Sequence, residues 1–355
     1  MRTSSPTGAT SPSPSARTSC SLWAFGEPHF NGYATATPEE ARAAVKDAKA
    51  KGYDFIKITF VITRPVHDAI VDEAAVQRMR VVGHVDFQVG LDRVLAAGQQ
   101  IEHLDGYLEA TVADSAPNKR SVSGPDVWRP QSWASLDHMD LQKLSAAAGR
   151  TARAGGVASY STPTLTFLKV AFGIGQSDEE IRARPDWRFL SAKSREEMVV
   201  PRKTYWSSPP SEARRQRYVA VRNAAVKALS DSGGKIMAGS DAPEWFFAYG
   251  WTLHRELTNL VAAGLTPYQA LLAATRTPAE FIALLRGGGV AGRDAGSVEV
   301  GKRGDLVLLH ANPLHDIANT TRIAGVVVDG RWLSSETLDR EFGRIERRIQ
   351  AQSPR

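Results

Sequence analysis

Cysteine is all but missing: Cys20 stands alone in 355 residues, which rules out an internal disulfide and with it the stapled scaffolds of small secreted domains. No apolar run approaches the roughly 18 residues that would mark a membrane-spanning helix. The chain has no Gly-x-x-x-x-Gly-Lys-Ser/Thr phosphate loop and no Gly-x-Ser-x-Gly elbow, and the GGGVAG stretch at 287–292 reads as a flexible link. Basic residues outnumber acidic ones, 44 against 38, and pI is about 9.4. They are dispersed, however, so the excess implies solubility and not a nucleic-acid-binding stripe. Acid is absent from the opening MRTSSPTGATSPSPSARTSC, which also lacks the apolar core of a secretory signal. The expected address is cytoplasmic.

What is present is ample. Hydrophobic residues make up 42% of the chain, enough for one large α/β domain and a small annex. Residues 1–22 read as a disordered low-complexity tail. TPEEARAAVKDAKAKG then predicts a helix capped by Thr37, with Pro38 in its first turn. YDFIKITF predicts a strand with Phe55, Lys57 and Thr59 on one face and Ile56, Ile58 and Phe60 on the other. Helix-then-strand units follow, ending in VVGHVDF, QQIEHLDG, STPTLTF and KIMAGSDA. That alternation predicts a parallel sheet, and a TIM-like (β/α) barrel over 23–289. Thr266 and Pro267 open a further helix. Beyond Gly287 apolar and polar residues alternate between glycine turns, predicting a small β appendage over 290–337, and 338–355 reads as a solvated helix that frays.

Lys57, His84, His103 and Asp241 each stand at the C-terminal end of a short apolar run. In a parallel barrel all strands deliver their last residues to one rim, so side chains this far apart in sequence can share a pocket. Each residue has a plain reading as well. Lys57 can snorkel to solvent, His84 and His103 can be hydrogen-bonded core histidines, and Asp241 can cap the next helix. Read together they suit a metal. A neutral Lys57 amine can take up CO2 as a carbamate, an oxygen ligand for divalent cations. The two imidazoles supply nitrogen, and small residues before Asp241 let a carboxylate approach.

These motifs resemble the metal-dependent amidohydrolases of the imidazolonepropionase-like and dipeptidase-like branch. GYDFIKI resembles the strand of the carboxylated lysine, VVGHVDF and QQIEHLDG the two histidine strands, and MAGSDA the aspartate strand. LHRELTNLVAAGLTPYQALLAATRTPAEFI and GSVEVGKRGDLVLLHANPL resemble the long C-terminal signature. The likeness runs from about residue 37 to 333. It implies hydrolysis of a carbon–nitrogen bond in an amide, cyclic imide or dipeptide-like small molecule, with one or two divalent ions, zinc foremost. Lys57, His84, His103 and Asp241 become ligands, Asp241 also the proton shuttle, and His254 and Tyr107 substrate contacts. A metal brings the pKa of the water it binds toward about 7, which supplies the nucleophile. Members close to imidazolonepropionase itself use one metal without the lysine, so Lys57 points to the dipeptidase-like side.

One element of the pattern is not there. The family holds its other metal with a His-x-His pair, and the histidines here are 29, 67, 84, 103, 138, 254, 310 and 315. Lys57 and Asp241 remain for that site, while Lys57, His84 and His103 remain for the other. A start codon set too late and a catalytically impaired remnant that binds metal or a partner are the two explanations, and either leaves the barrel short of its early strands. Mouth loops at 108–140, 171–218 and 242–253 carry Trp128, Trp133, Trp187, Trp206, Trp245 and Trp251, which suits an apolar or aromatic substrate group. A homo-oligomer is compatible with all of this.

Overall fold

The protein is described by a computed structural model covering residues 17–23, 33–59, 62–112, 135–171, 177–196, 211–242, 248–287 and 294–351. Thr37 caps the helix Pro38–Ala50 as its sequence requires: its side chain accepts from the Glu40 amide while Glu40 reaches back to the cap. The chain then turns into the central sheet. Its strands are β1 (Arg17–Trp23), β2 (Tyr33–Ala34), β3 (Tyr53–Ile58), β4 (Arg80–Gly83), β5 (Gln100–Glu102), β6 (Tyr160–Thr162) and β7 (Lys235–Ile236). They pair in the order β2-β1-β3-β4-β5-β6-β7, every pair parallel.

Strand alternation sorts the side chains into two layers. Ile56 and Ile58 are fully buried and, with Ile101 and Ile236, pack under the helices Pro38–Ala50, Arg64–Val76 and Glu212–Asp231. Each such isoleucine contributes about 1.5–3 kcal/mol relative to an exposed one. The opposite face carries Phe55, Val82, Tyr160 and Met237, closed at one end by Phe281 and Leu285 of the helix Arg276–Leu285. Lys57 and Glu102 lie on this second face, because they alternate with Ile58 and Ile101.

One sequence expectation changes. Arg17–Trp23 does not belong to a tail: it inserts between β2 and β3, with Cys20 opposite Ile56 and Leu22 opposite Ile58. The backbone groups of β3 demand a partner, and an extended segment supplies one whatever its composition. The sheet is not closed into a barrel among the described residues, since β2 and β7 are both edges, in keeping with a barrel expected to be short of its early strands.

The appendage is a three-stranded antiparallel sheet of β8 (Leu306–Leu309), β9 (Ile323–Val328) and β10 (Arg331–Ser334), ordered β10-β9-β8. The final helix, Ser335–Ala351, has no buried residue. Phe342 nonetheless anchors it, with its ring 5.5 Å from Phe189 and 6.4 Å from Trp251. Among the described residues no helix is long and apolar enough to cross a membrane.

Candidate metal centre

Four strand ends build one polar rim. Lys57 is the penultimate residue of β3. His84 follows β4 and continues its ladder, its amide donating to the Ile58 carbonyl at 2.9 Å; His103 follows β5 with its amide on the Thr162 carbonyl at 2.8 Å. Past these bonds the backbone leaves regular geometry. His103, Leu104, Thr164 and Asp241 have φ of 59°, 58°, 48° and 56°, a left-handed region that residues with a Cβ seldom occupy. Each such residue costs on the order of 1–3 kcal/mol, and strain of this kind gathers where side chains are aimed for function.

The two imidazoles are buried and lie face to face, ring centroids 4.4 Å apart and planes within 18°. Each is held at Nδ1. His84 meets the Asp105 carboxylate at 2.6 Å, and His103 meets the Thr164 hydroxyl at 2.7 Å. A carboxylate on Nδ1 places the proton there and leaves the Nε2 lone pair outward, the tautomer that ligates metals. Burial pulls both rings down to about 4, helped for His84 by the Lys57 charge and for His103 by His84. Both are therefore neutral donors near pH 7.

Glu102 joins the lysine to the imidazoles. Its Oε2 is 2.8 Å from Lys57 Nζ and 3.8 Å from His103 Nε2. Burial opposes both charges, yet each outweighs it for the other: the Lys57 amine is raised and the Glu102 carboxyl lowered from their ordinary values. The pairing with Glu102 favours the ammonium form of Lys57, while a carbamate needs the neutral amine. Asp241 Oδ2 lies 4.0 Å from His103 Nδ1.

Support extends behind the rim. The Gln99 amide donates to the His84 carbonyl at 2.9 Å, and its oxygen meets the buried His67 Nε2 at 3.0 Å. The buried Glu256 carboxylate accepts from the Leu165 amide at 2.9 Å and from the Thr166 amide and hydroxyl at 2.7 and 2.8 Å, fixing the loop that carries Thr164. Arg222, also buried, donates to the His103 carbonyl.

The structure therefore brings together Lys57, His84, His103 and Asp241, and adds Glu102, Asp105, Thr164 and Arg222, which sequence reasoning missed. Glu102 and Asp105 flank His103 in QQIEHLDG, a signal that was there to be used. Tyr107 is corrected: it is fully buried and its hydroxyl bonds Thr151 at 2.7 Å and Ser161 at 3.3 Å, so its polar end is spent inside the core. His254 is half-buried, with Nδ1 3.1 Å from the Thr320 hydroxyl, and burial lowers its pKa. Trp187 lies under the Arg195 guanidinium and Trp251 stacks on Phe189. His29, Trp128, Trp133, Trp206 and Trp245 fall outside the described residues.

Among the described residues no three His, Cys, Asp or Glu side chains stand close enough to enclose an ion. The donor chemistry fits one all the same: two adjacent neutral imidazoles oriented through Nδ1, beside the Glu102 carboxylate, whose Oε2 stands 2.8 Å from Lys57 Nζ and 3.8 Å from His103 Nε2.

Residues 30–333 match the family model described as "Amidohydrolase family". Among solved structures, a bottromycin amidohydrolase superposes with a TM-score of 0.62 at 24% identity, covering 88% of this chain and 62% of that one. A Xaa-Pro dipeptidase with methionine bound in its active site gives 0.52 at 22% identity, covering 84% and 59%. The chain thus spans about three fifths of either. No curated protein matches it.

Proposed function

The chain belongs to the amidohydrolase family, and from that premise we propose that it hydrolyses a carbon–nitrogen bond in a small amide, cyclic imide or dipeptide-like substrate. The observation that carries this reading is the pair of buried, stacked, neutral imidazoles His84 and His103 beside the Lys57–Glu102 pair and Asp241. Likeness to a protein named an amidohydrolase and to one named a Xaa-Pro dipeptidase supports the bond class. In this reading the open parallel sheet is part of a TIM-like barrel, and the rim is its C-terminal, catalytic face.

His84 and His103 would hold a divalent ion, zinc foremost, with Asp241 available for it or for a second, and Lys57 only as a carbamate. Bound there, the ion supplies Lewis acidity toward the substrate carbonyl and a water acidic enough to attack near neutral pH. Asp105 keeps the His84 proton on Nδ1. Glu102 keeps a negative charge against the imidazoles, and Lys57 in turn keeps Glu102 ionised. A carbamate on Lys57 would require that pair to open. Asp241, half-exposed at the rim, takes the proton that the attacking water releases and passes it to the leaving nitrogen.

The test is turnover against metal loading. Metal-free protein is loaded with Zn2+, Mn2+ or Co2+ and offered dipeptides, N-acyl amino acids and cyclic imides. Hydrolysis should appear with metal, vanish with chelator, and fall on the order of 10²–10⁴-fold in Asp241→Asn, as expected for loss of a proton shuttle. A second reading, metal binding without turnover, is favoured by the lack of three converging donors among the described residues. Bound metal with no hydrolysis on any substrate at any loading would establish it over the first.

A further inference from the structure

Arg222 lies on the helix Glu212–Asp231, far in sequence from the strand ends, and is 2% exposed. A guanidinium so placed costs several kcal/mol of desolvation unless it is well partnered, and an apolar residue of its size would pack the helix better. Its partners are specific. One terminal nitrogen donates to the His103 carbonyl and the other to the Tyr218 hydroxyl at 2.7 Å. Among the described residues nothing accepts from its Nε. Asp105, which holds His84, bears on the same pocket: burial raises the Tyr218 phenol, Arg222 pulls it down, and Asp105 and Glu109 push it up.

The carbonyl that Arg222 takes is an unusual one. The β5 ladder ends at the His103 amide, and both His103 and Leu104 are left-handed, so the peptide between them is turned out of the sheet. A buried carbonyl in that position must find a donor. The orientation of that peptide also sets the direction of the His103 side chain, whose ring the Thr164 hydroxyl fixes from the other side.

The geometry points to Arg222 as the positioning residue of the metal centre: by gripping the His103 carbonyl it holds that residue left-handed and its imidazole against His84. The inference rests on the reading of His103 as a ligand, and its test is arranged to separate the two. Metal-free protein labelled with 15N-histidine is compared with Arg222→Met, Arg222→Lys and Tyr218→Phe, the ring signals being assigned with His103→Gln. Arg222→Met should move the His103 signals while those of His310 and His315 in the appendage stay in place. Arg222→Lys, which keeps the charge and one donor, should move them less, and Tyr218→Phe should give a small displacement of the same kind. Titration with Co2+ alone should show affinity falling about 10–100-fold in Arg222→Met, as when a ligand's supporting hydrogen bond is removed, and by less in Arg222→Lys.

Unmoved His103 signals in the folded variants overturn the inference whatever the metal does, as does a Met variant that merely melts earlier while binding Co2+ as tightly. Should Arg222→Met not fold, Arg222→Lys and Tyr218→Phe decide by the same two readouts. Wild-type protein that binds no Co2+ would overturn the metal reading, and the ring signals would still decide the role of Arg222.

Discussion

Gly83 shows how little freedom the rim leaves a single residue. It ends β4 with φ of 121°, and a Cβ built on it would lie 2.2 Å from the Ile58 carbonyl oxygen, the same oxygen that receives the His84 amide. Neither backbone can give way without breaking that bond. Gly83→Ala should therefore lose about 3 kcal/mol or more, from roughly 1–3 kcal/mol of overpacking and a similar cost of strained backbone. Gly52, with φ of 80° and nothing within 4 Å of a built Cβ, is the control, and Gly52→Ala should show the strain alone. Urea unfolding midpoints of the two variants measure the difference. Equal losses would mean that close approach to β3 does not constrain the His84 strand.

At the scale of elements, the helix Trp251–Ala262 acts on the site through Glu256 and the loop after β6. Burial raises the Glu256 carboxyl above its ordinary 4.5, although bonds from Thr166 and Leu165 pull it down. A carboxylate whose folded pKa is raised binds its proton more tightly folded than unfolded. Its contribution is complete below about pH 4.5, the unfolded value, and declines as pH climbs through the folded one. Glu256→Gln should lose roughly 1–3 kcal/mol because its amide must face a donor. Subtracting its stability–pH curve from that of the wild type should leave a component that falls with rising pH. A difference curve that is flat or rises with pH would show that the buried carboxyl is not raised.

The elements were the legible part of this chain. Thr37 and Thr266 announced their helices, and the alternation in YDFIKI placed Ile56 and Ile58 against Lys57. Arg17–Trp23 was hidden because its polar, Ser-rich composition carries no strand signal; only pairing with β3 makes it one. Arg222 was hidden because one arginine among several in a charged helix looks solvated. Its spacing from Tyr218 and Val226, four residues on either side on the buried stripe, was the available clue. Supports such as Thr164 and Glu256 act through carbonyls, amides and hydroxyls across the sheet, and a linear pattern does not encode those.

For the whole molecule, the metal reading has a consequence that needs no substrate. The parallel sheet is open at β2 and β7 among the described residues, and the rim spends stability on buried charge and left-handed backbone. An ion that binds the folded rim and not the unfolded chain returns some of it, by RT ln(1 + [L]/Kd), about 2.7 kcal/mol at a hundredfold excess over Kd. Metal-free protein should therefore melt at a lower temperature than protein with saturating Zn2+ or Co2+, and chelator should reverse the difference. In His84→Ala/His103→Ala the increment should vanish even if the metal-free melting point also drops, because the comparison is made within one variant. His310→Ala, in the appendage, should keep the full increment. Stabilisation that survives loss of both imidazoles would place the ion elsewhere. A melting point that no divalent metal moves in the wild type would leave His84 and His103 as stacked core histidines.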